Sequence, residues 1–285
     1  MGEFLTALTH PDIPFVRYAL LAGLLASVPF GIMGTYVVAR RISYMAGAIA
    51  HCSLGGIGAA LYLQHKFGWE QYESLPLWGA VIQALVGALI IGLVSLYGRE
   101  REDTVIGAVW AIGMAQGLLL IAKTPGYVDP MSYLFGRITI VSGSELWMVA
   151  GLAALVVALA LFFYNKLLAV CFDEEFARLR GVRVGVYFLL LLELTALTVV
   201  LLVTVVGIVM VIALLALPAA VAGQFCRRIW QMMIVSVVCC MAFATSGLAV
   251  SYTYDLPSGP TIILIGGAVY LAVVLVRRVL KGRVA

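Results

Sequence analysis

The run that most constrains this chain is residues 185–222, 38 residues long and interrupted by one carboxylate, Glu193. As a single helix it would be about 57 Å long, almost twice the roughly 30 Å hydrocarbon core of a bilayer. The chain must therefore cross twice here or fold back, and Gly207 and Pro218 are the expected points of interruption. Seven further apolar runs occupy 14–39, 43–64, 78–98, 104–122, 146–164, 229–251 and 260–276. Lipid offers the backbone no hydrogen-bond partner, so spans built from such runs must be helical. The fold predicted is all-α: a polytopic transmembrane helical bundle of eight or nine spans, forming one domain over residues 1–285. A composition 64% hydrophobic and 11% charged excludes a soluble domain. The first run stays apolar for about 26 residues, which suits a retained span better than a cleaved signal.

If 185–222 crosses twice and each other run once, the loops sort by side. One side collects Arg40, Arg41, Arg99, Arg101, Lys166, Arg178, Arg180, Arg183, Arg227, Arg228, Arg277, Arg278, Lys281 and Arg283. The other holds Arg17, Lys66, Lys123 and Arg137. That is 14 against 4 of the 18 cations, so the richer side is cytoplasmic by the positive-inside rule, and the N-terminus is outside. The net charge of +4 gives no reason to expect a nucleic-acid partner. The five cysteines form no C-x-x-C pair or disulfide framework and read as small packing residues. Glycines recur within the runs, with Gly113 and Gly117 spaced as a GxxxG pair that suits close helix packing.

Three places carry chemistry. In RRISYMAGAIAHCSLGGIG (40–58) two arginines open a small-residue span that contains His51 and Cys52. An ionisable group at such depth marks a transport path or a hydrogen bond between helices. Glu193 needs a partner or water for the same reason. In DEEFARLRGV (173–182) acids lead and arginines follow, which suits the dipole of a short helix, and Phe176, Ala177 and Leu179 form a possible apolar contact surface. Such a helix on the cytoplasmic side either receives force from a soluble motor or is an ordinary connector. Asp103 reads as a helix N-cap, and Asp129 and Asp255, close to Pro130 and Pro257, as turn residues. The sequence has no P-loop, H-E-x-x-H or G-x-S-x-G motif, and His51 with Cys52 makes no catalytic dyad because adjacent helical positions do not face each other. The chain is not expected to be an enzyme, and any ATP chemistry belongs to another polypeptide.

Taken together, RRISYMAGAIAHCSLGGIG, EDTVIGAVWAIGMAQGLLL (102–120), DPMSYLFGRITIVS (129–142), DEEFARLRGV, 194–222 and GLAVSYTYDLPSGPTIIL (247–264) resemble the membrane permeases of ABC transporters for zinc, manganese and iron. The resemblance implies a permease of the bacterial inner membrane that dimerises with a second permease, as a homodimer or heterodimer. It also implies two cytoplasmic ATPase subunits carrying the ATP, an extracytoplasmic metal-binding protein as donor, and a transported divalent metal ion with no permanently bound cofactor. By the same resemblance Asp173, Glu174, Glu175, Phe176, Ala177, Arg178, Leu179, Arg180 and Gly181 form the coupling helix seated on the ATPase.

The sequence departs from the family at the metal. An aspartate commonly precedes the family's histidine by one helical turn, on the same face. Here the histidine position is His51 and the aspartate position is Gly47. A lone imidazole is a poor divalent site. Three arrangements remain open: a second ligand from Cys52, Glu193 or a partner permease; a weak transient stop that favours release; or a site lost from one half of a heterodimer. Two other functions stand beside this one. A permease for a siderophore or cobalamin would need an organic carrier for transport, and an ion-coupled secondary carrier would need no ATPase. Carriers of the second kind often show paired repeats and several membrane carboxylates; this sequence has no clear repeat and one clear intramembrane acid, Glu193.

Overall fold

The computed structural model describes residues 14–69, 71–72, 74–98, 100–125, 133–134 and 143–282. Its principal elements are helices: α1 (Pro14–Arg40), α2 (Ser43–Phe67), α3 (Leu75–Tyr97), α4 (Glu102–Lys123), α5 (Gly143–Phe162), α6 (Tyr164–Phe172), α7 (Glu174–Leu179), α8 (Val184–Val206), α9 (Ile208–Phe225), α10 (Ile229–Tyr254) and α11 (Ser258–Gly282). By length and composition seven of the described helices are able to cross a membrane, or eight if the bent pair α5–α6, a broken span or a re-entrant loop, counts as one. The run at 146–164, expected to cross once, breaks at Phe163, where the two helices meet at 69°.

The long run is divided at Gly207, which alone separates α8 from α9. Its φ of 87° and ψ of 153° lie in a region essentially reserved for glycine, where a Cβ would clash with the adjoining backbone. Pro218 does not divide anything: α9 passes through it unbroken from Ile208 to Phe225. Membrane helices tolerate proline when neighbours compensate for the lost hydrogen bond, and Pro218 is buried in the packed bundle.

The turns are set by a few residues. Arg41, at φ 63°, closes α1: its N–H bonds the Val38 carbonyl and that of Ile42 reaches the Val37 carbonyl, the paired pattern of a Schellman cap. Gly68 and Gly181 do the same after α2 and α7. Asp255 sits at φ 50° as the C-cap of α10, consistent with its expected turn. Asp103 is not an N-cap: α4 starts at Glu102 with Arg101 in the cap position, and both acids lie in the first turn, where the helix dipole favours them. Asp129 lies outside the described residues, as does most of 129–142.

Helices α1 and α2 are central, each 72% buried over its most apolar stretch, whereas α4 and α11 are peripheral at 22%. Several buried hydroxyls inside helices bond back one turn, Thr35 to the Gly31 carbonyl at 2.7 Å and Thr195 to the Leu191 carbonyl at 2.8 Å, so they need no partner from another helix, whereas Ser236 on α10 is buried without a hydrogen-bond partner. All five cysteines are free. Groups that charge sorting assigned to one side also meet in space: Arg40 reaches Glu174, and Arg277 lies 5.2 Å from the ring centre of Phe225.

Candidate metal path and cytoplasmic contact helix

The surroundings of His51 are set by glycine. On α2, a Cβ added at Gly55 would lie 2.9 Å from the Gly113 carbonyl oxygen, and one at Gly58 would lie 2.5 Å from that of Gly117. In return, a Cβ at Gly113 would lie 2.6 Å from Cys52 Cα. The Gly113–Gly117 pair of α4 thus interlocks with the glycines of α2, backbone against backbone. On the other side, Gly56 meets Gly79 of α3 just as closely.

This close approach brings Trp110, three residues before Gly113, onto His51. The two rings stack at 4.5 Å between centroids with planes 10° apart. The indole N–H of Trp110 points to Met114 Sδ at 3.2 Å. His51 Nδ1 is buried and has no hydrogen-bond partner. A histidine kept for structure would be expected to satisfy that nitrogen; here it is held in place by stacking, with a lone pair or N–H to offer. His51 lies eight residues into α2, about 12 Å along its axis.

The other candidate ligands do not gather around it. Cys52 turns toward α3 and α4: Gln83 Nε2 lies 3.6 Å from its Sγ, and the thiol approaches the Gln83 carbonyl at 3.9 Å. It helps line a mostly apolar cavity of about 370 Å³ between those helices. Glu193 sits on α8, partly buried between the buried Leu192 and Leu194, and no described residue forms an ion pair with it. Among the described residues no three His, Cys, Asp or Glu side chains converge on a possible metal position. At Gly47 there is room, because a Cβ would meet nothing closer than Ile212 Cδ1 at 3.9 Å. The stacking partner Trp110 was not singled out from sequence. It lies 59 positions from His51, and only the glycine register connects them.

At the arginine-rich end, 173–182 forms α7. Asp173 caps it, its Oδ1 accepting from the Phe176 N–H at 2.9 Å, while Gly181 closes it. The apolar residues divide in a way the sequence did not indicate. Ala177 is completely buried against the bundle, whereas Phe176 and Leu179 are exposed, Leu179 at 87%. The available contact surface is therefore Phe176 and Leu179, with Ala177 serving as the anchor.

A polytopic helical bundle with a partly buried imidazole in an early span and a short capped helix at its arginine-rich end is the architecture of an integral membrane protein. The chain belongs to the ABC 3 transport family, whose model matches residues 12–277. It is 43% identical to an uncharacterized membrane protein of Synechocystis over 93% of this chain and 91% of that one. It is 33% identical to the manganese transport system membrane protein MntC of Halalkalibacterium halodurans, covering 90% of this chain and 85% of that one. Among solved structures it is similar to PsaBC from Streptococcus pneumoniae in complex with a Fab, with a TM-score of 0.83 and 27% identity over 95% of this chain and 94% of that one. It is a multi-pass protein of the bacterial inner membrane. The likenesses favour neither the permease for an organic metal complex nor the ion-coupled carrier.

Proposed function

We propose that this chain is the permease subunit of an ABC importer for a divalent metal ion, with manganese as its cargo ahead of zinc or iron. The observation that carries this reading is the near full-length likeness to a manganese transport membrane protein. Separate cytoplasmic ATPase subunits bind ATP and dock on α7, an extracytoplasmic metal-binding protein delivers the ion, and a second permease completes the pathway. ATP binding and hydrolysis move α7, and the spans around α2, α8 and α9 open to alternate sides.

His51 is the ligand on the path. Its buried, unpartnered Nδ1 and the Trp110 stack support that role, because both hold an imidazole ready without engaging it. With glycine at 47 the ion meets one imidazole from this chain and completes its shell with water or groups of the second permease. Such a site binds weakly and releases readily, which suits a transit point. The test is ATP-driven uptake of manganese, zinc and iron by the assembled transporter, comparing the native chain with His51→Ala. Uptake is expected to fall at least tenfold, about 1.4 kcal/mol in transition-state terms, while assembly and ATPase association persist. Normal uptake by His51→Ala would remove the histidine from the path.

A further inference from the structure

Helix α7 is anchored to the bundle by the buried Ala177, with few other contacts beyond its chain neighbours. Its main backbone neighbours are α6, which precedes it, and the start of α8, which comes after it. The long-range tie is a side-chain contact across 134 positions, in which Arg40 Nη2 donates to Glu174 Oε1. Arg40 is the last residue of α1, and its guanidinium also lies 5.6 Å from the ring centre of Phe188 on α8. Phe188 is only 3% exposed, so the cation is braced on a fixed surface. Glu174 is the first residue of α7 and is shared with Arg178 one turn on, whose Nη2 lies 3.8 Å from Glu174 Oε2.

Arg40 is joined to the helix of Gly47 and His51 through a single tight corner. Arg41 turns the chain there in a left-handed conformation, and Ser43 begins α2. The α1–α2 corner carries two backbone hydrogen bonds in its cap, so a force applied at Arg40 reaches the His51 helix through a short, closed turn. A displacement of α7 passes along the chain into α6 and α8 and through Ala177 into the core, and a separate route runs through Glu174 and Arg40 into the α1–α2 corner.

We propose that the Arg40–Glu174 ion pair is the mechanical link between α7 and the His51-bearing helix, making Arg40 and Glu174 positioning residues for transport. The inference rests on the reading of α7 as the ATPase contact. Both side chains are partly buried, 28% and 29% exposed, so the pair is held in one geometry while water still screens part of its charge. What is lost on removing either charge is the transmission of motion.

The test is a double-mutant cycle in the reconstituted transporter, assembled with its ATPase subunits and using manganese(II) as the probe. The variants are Arg40→Gln, Glu174→Gln and both together, and the readout is manganese transported per ATP hydrolysed. A purely structural role would move expression or thermal stability instead. Each single variant is expected to lower the ratio about fivefold or more, the lower end of typical coupling between sites. The double variant should be no worse than either single one, because both remove the same contact. An unchanged ratio, or lesions that multiply, would overturn the link. A Leu179→Cys variant cross-linked to the ATPase separates the levels. Failure to cross-link would overturn the docking reading and this inference with it, whereas multiplying lesions in a complex that does cross-link would overturn the link alone.

Discussion

Replacing Gly207 by alanine tests how the long apolar run is divided. At φ 87° and ψ 153° this residue occupies backbone space that an L side chain enters only under strain, at a cost on the order of 1–3 kcal/mol. The strain has no easy relief, because Gly207 alone separates α8 from α9, and its N–H and carbonyl are both engaged, with Val203 and Val211 at 3.1 Å. For domains of 150–250 residues each kcal/mol shifts Tm by roughly 2–4 °C, so Gly207→Ala should melt about 2–12 °C lower in detergent. Two companions sharpen the reasoning. Gly107 lies inside α4 with nothing within 4 Å of an added Cβ, so Gly107→Ala should be neutral or stabilising by up to about 1 kcal/mol. Asparagine tolerates left-handed helical backbone, so it should be accepted at Gly181, where φ is 75° in a helix cap, but not at Gly207, whose ψ is extended. Thermal unfolding followed by tryptophan fluorescence is the assay. A Gly207→Ala protein that melts with the native chain would refute the claim that this backbone conformation requires glycine.

Two other outcomes are expected at the site. Gly47→Asp has space for its Cβ and places a carboxylate one turn before His51. Unliganded, it should cost about 2.5–3.5 kcal/mol on insertion scales. Manganese should then raise the Tm of this variant far more than that of the native chain, with a ligand contribution near 2.7 kcal/mol at a hundredfold excess over Kd; equal shifts would show that no new ligand had formed. Gly117→Val would drive a side chain into the Leu54 carbonyl, since a Cβ alone would lie 2.5 Å from that oxygen. Overpacking of this kind costs about 1–3 kcal/mol, and because it separates α2 from α4 it should also loosen the His51–Trp110 stack and reduce uptake. Native stability with unaltered uptake would show that the glycine contact is dispensable.

The sequence alone determined the class of this protein, because the bilayer leaves so few choices. Apolar runs too long and too numerous for a soluble core had to become helices, and the arginines sorted their ends. Glycine at 207 and the D-E-E-F-A-R-L-R-G order each carry a local signal that was read directly: one breaks the helix, and the charge order of the other suits a short helix dipole. Most of the misreadings were settled by neighbours. Pro218 is a helix breaker only where nothing surrounds it, and here it is buried in the bundle. Asp103 resembles a cap until the helix starts one residue earlier. Ala177 and Leu179 are alike in apolar character, yet one is buried and the other exposed, because the face α7 presents depends on how it leans on α6 and α8. The same holds for the site. His51 was visible as a costly imidazole in a span, but its contact with Trp110 was not, since 59 residues separate the two and only the interlocking of Gly55 and Gly58 with Gly113 and Gly117 brings the rings together. Local chemistry and the solvent decide what each segment must become, whereas the choice of neighbours depends on shape complementarity between distant backbones, which a linear reading does not contain.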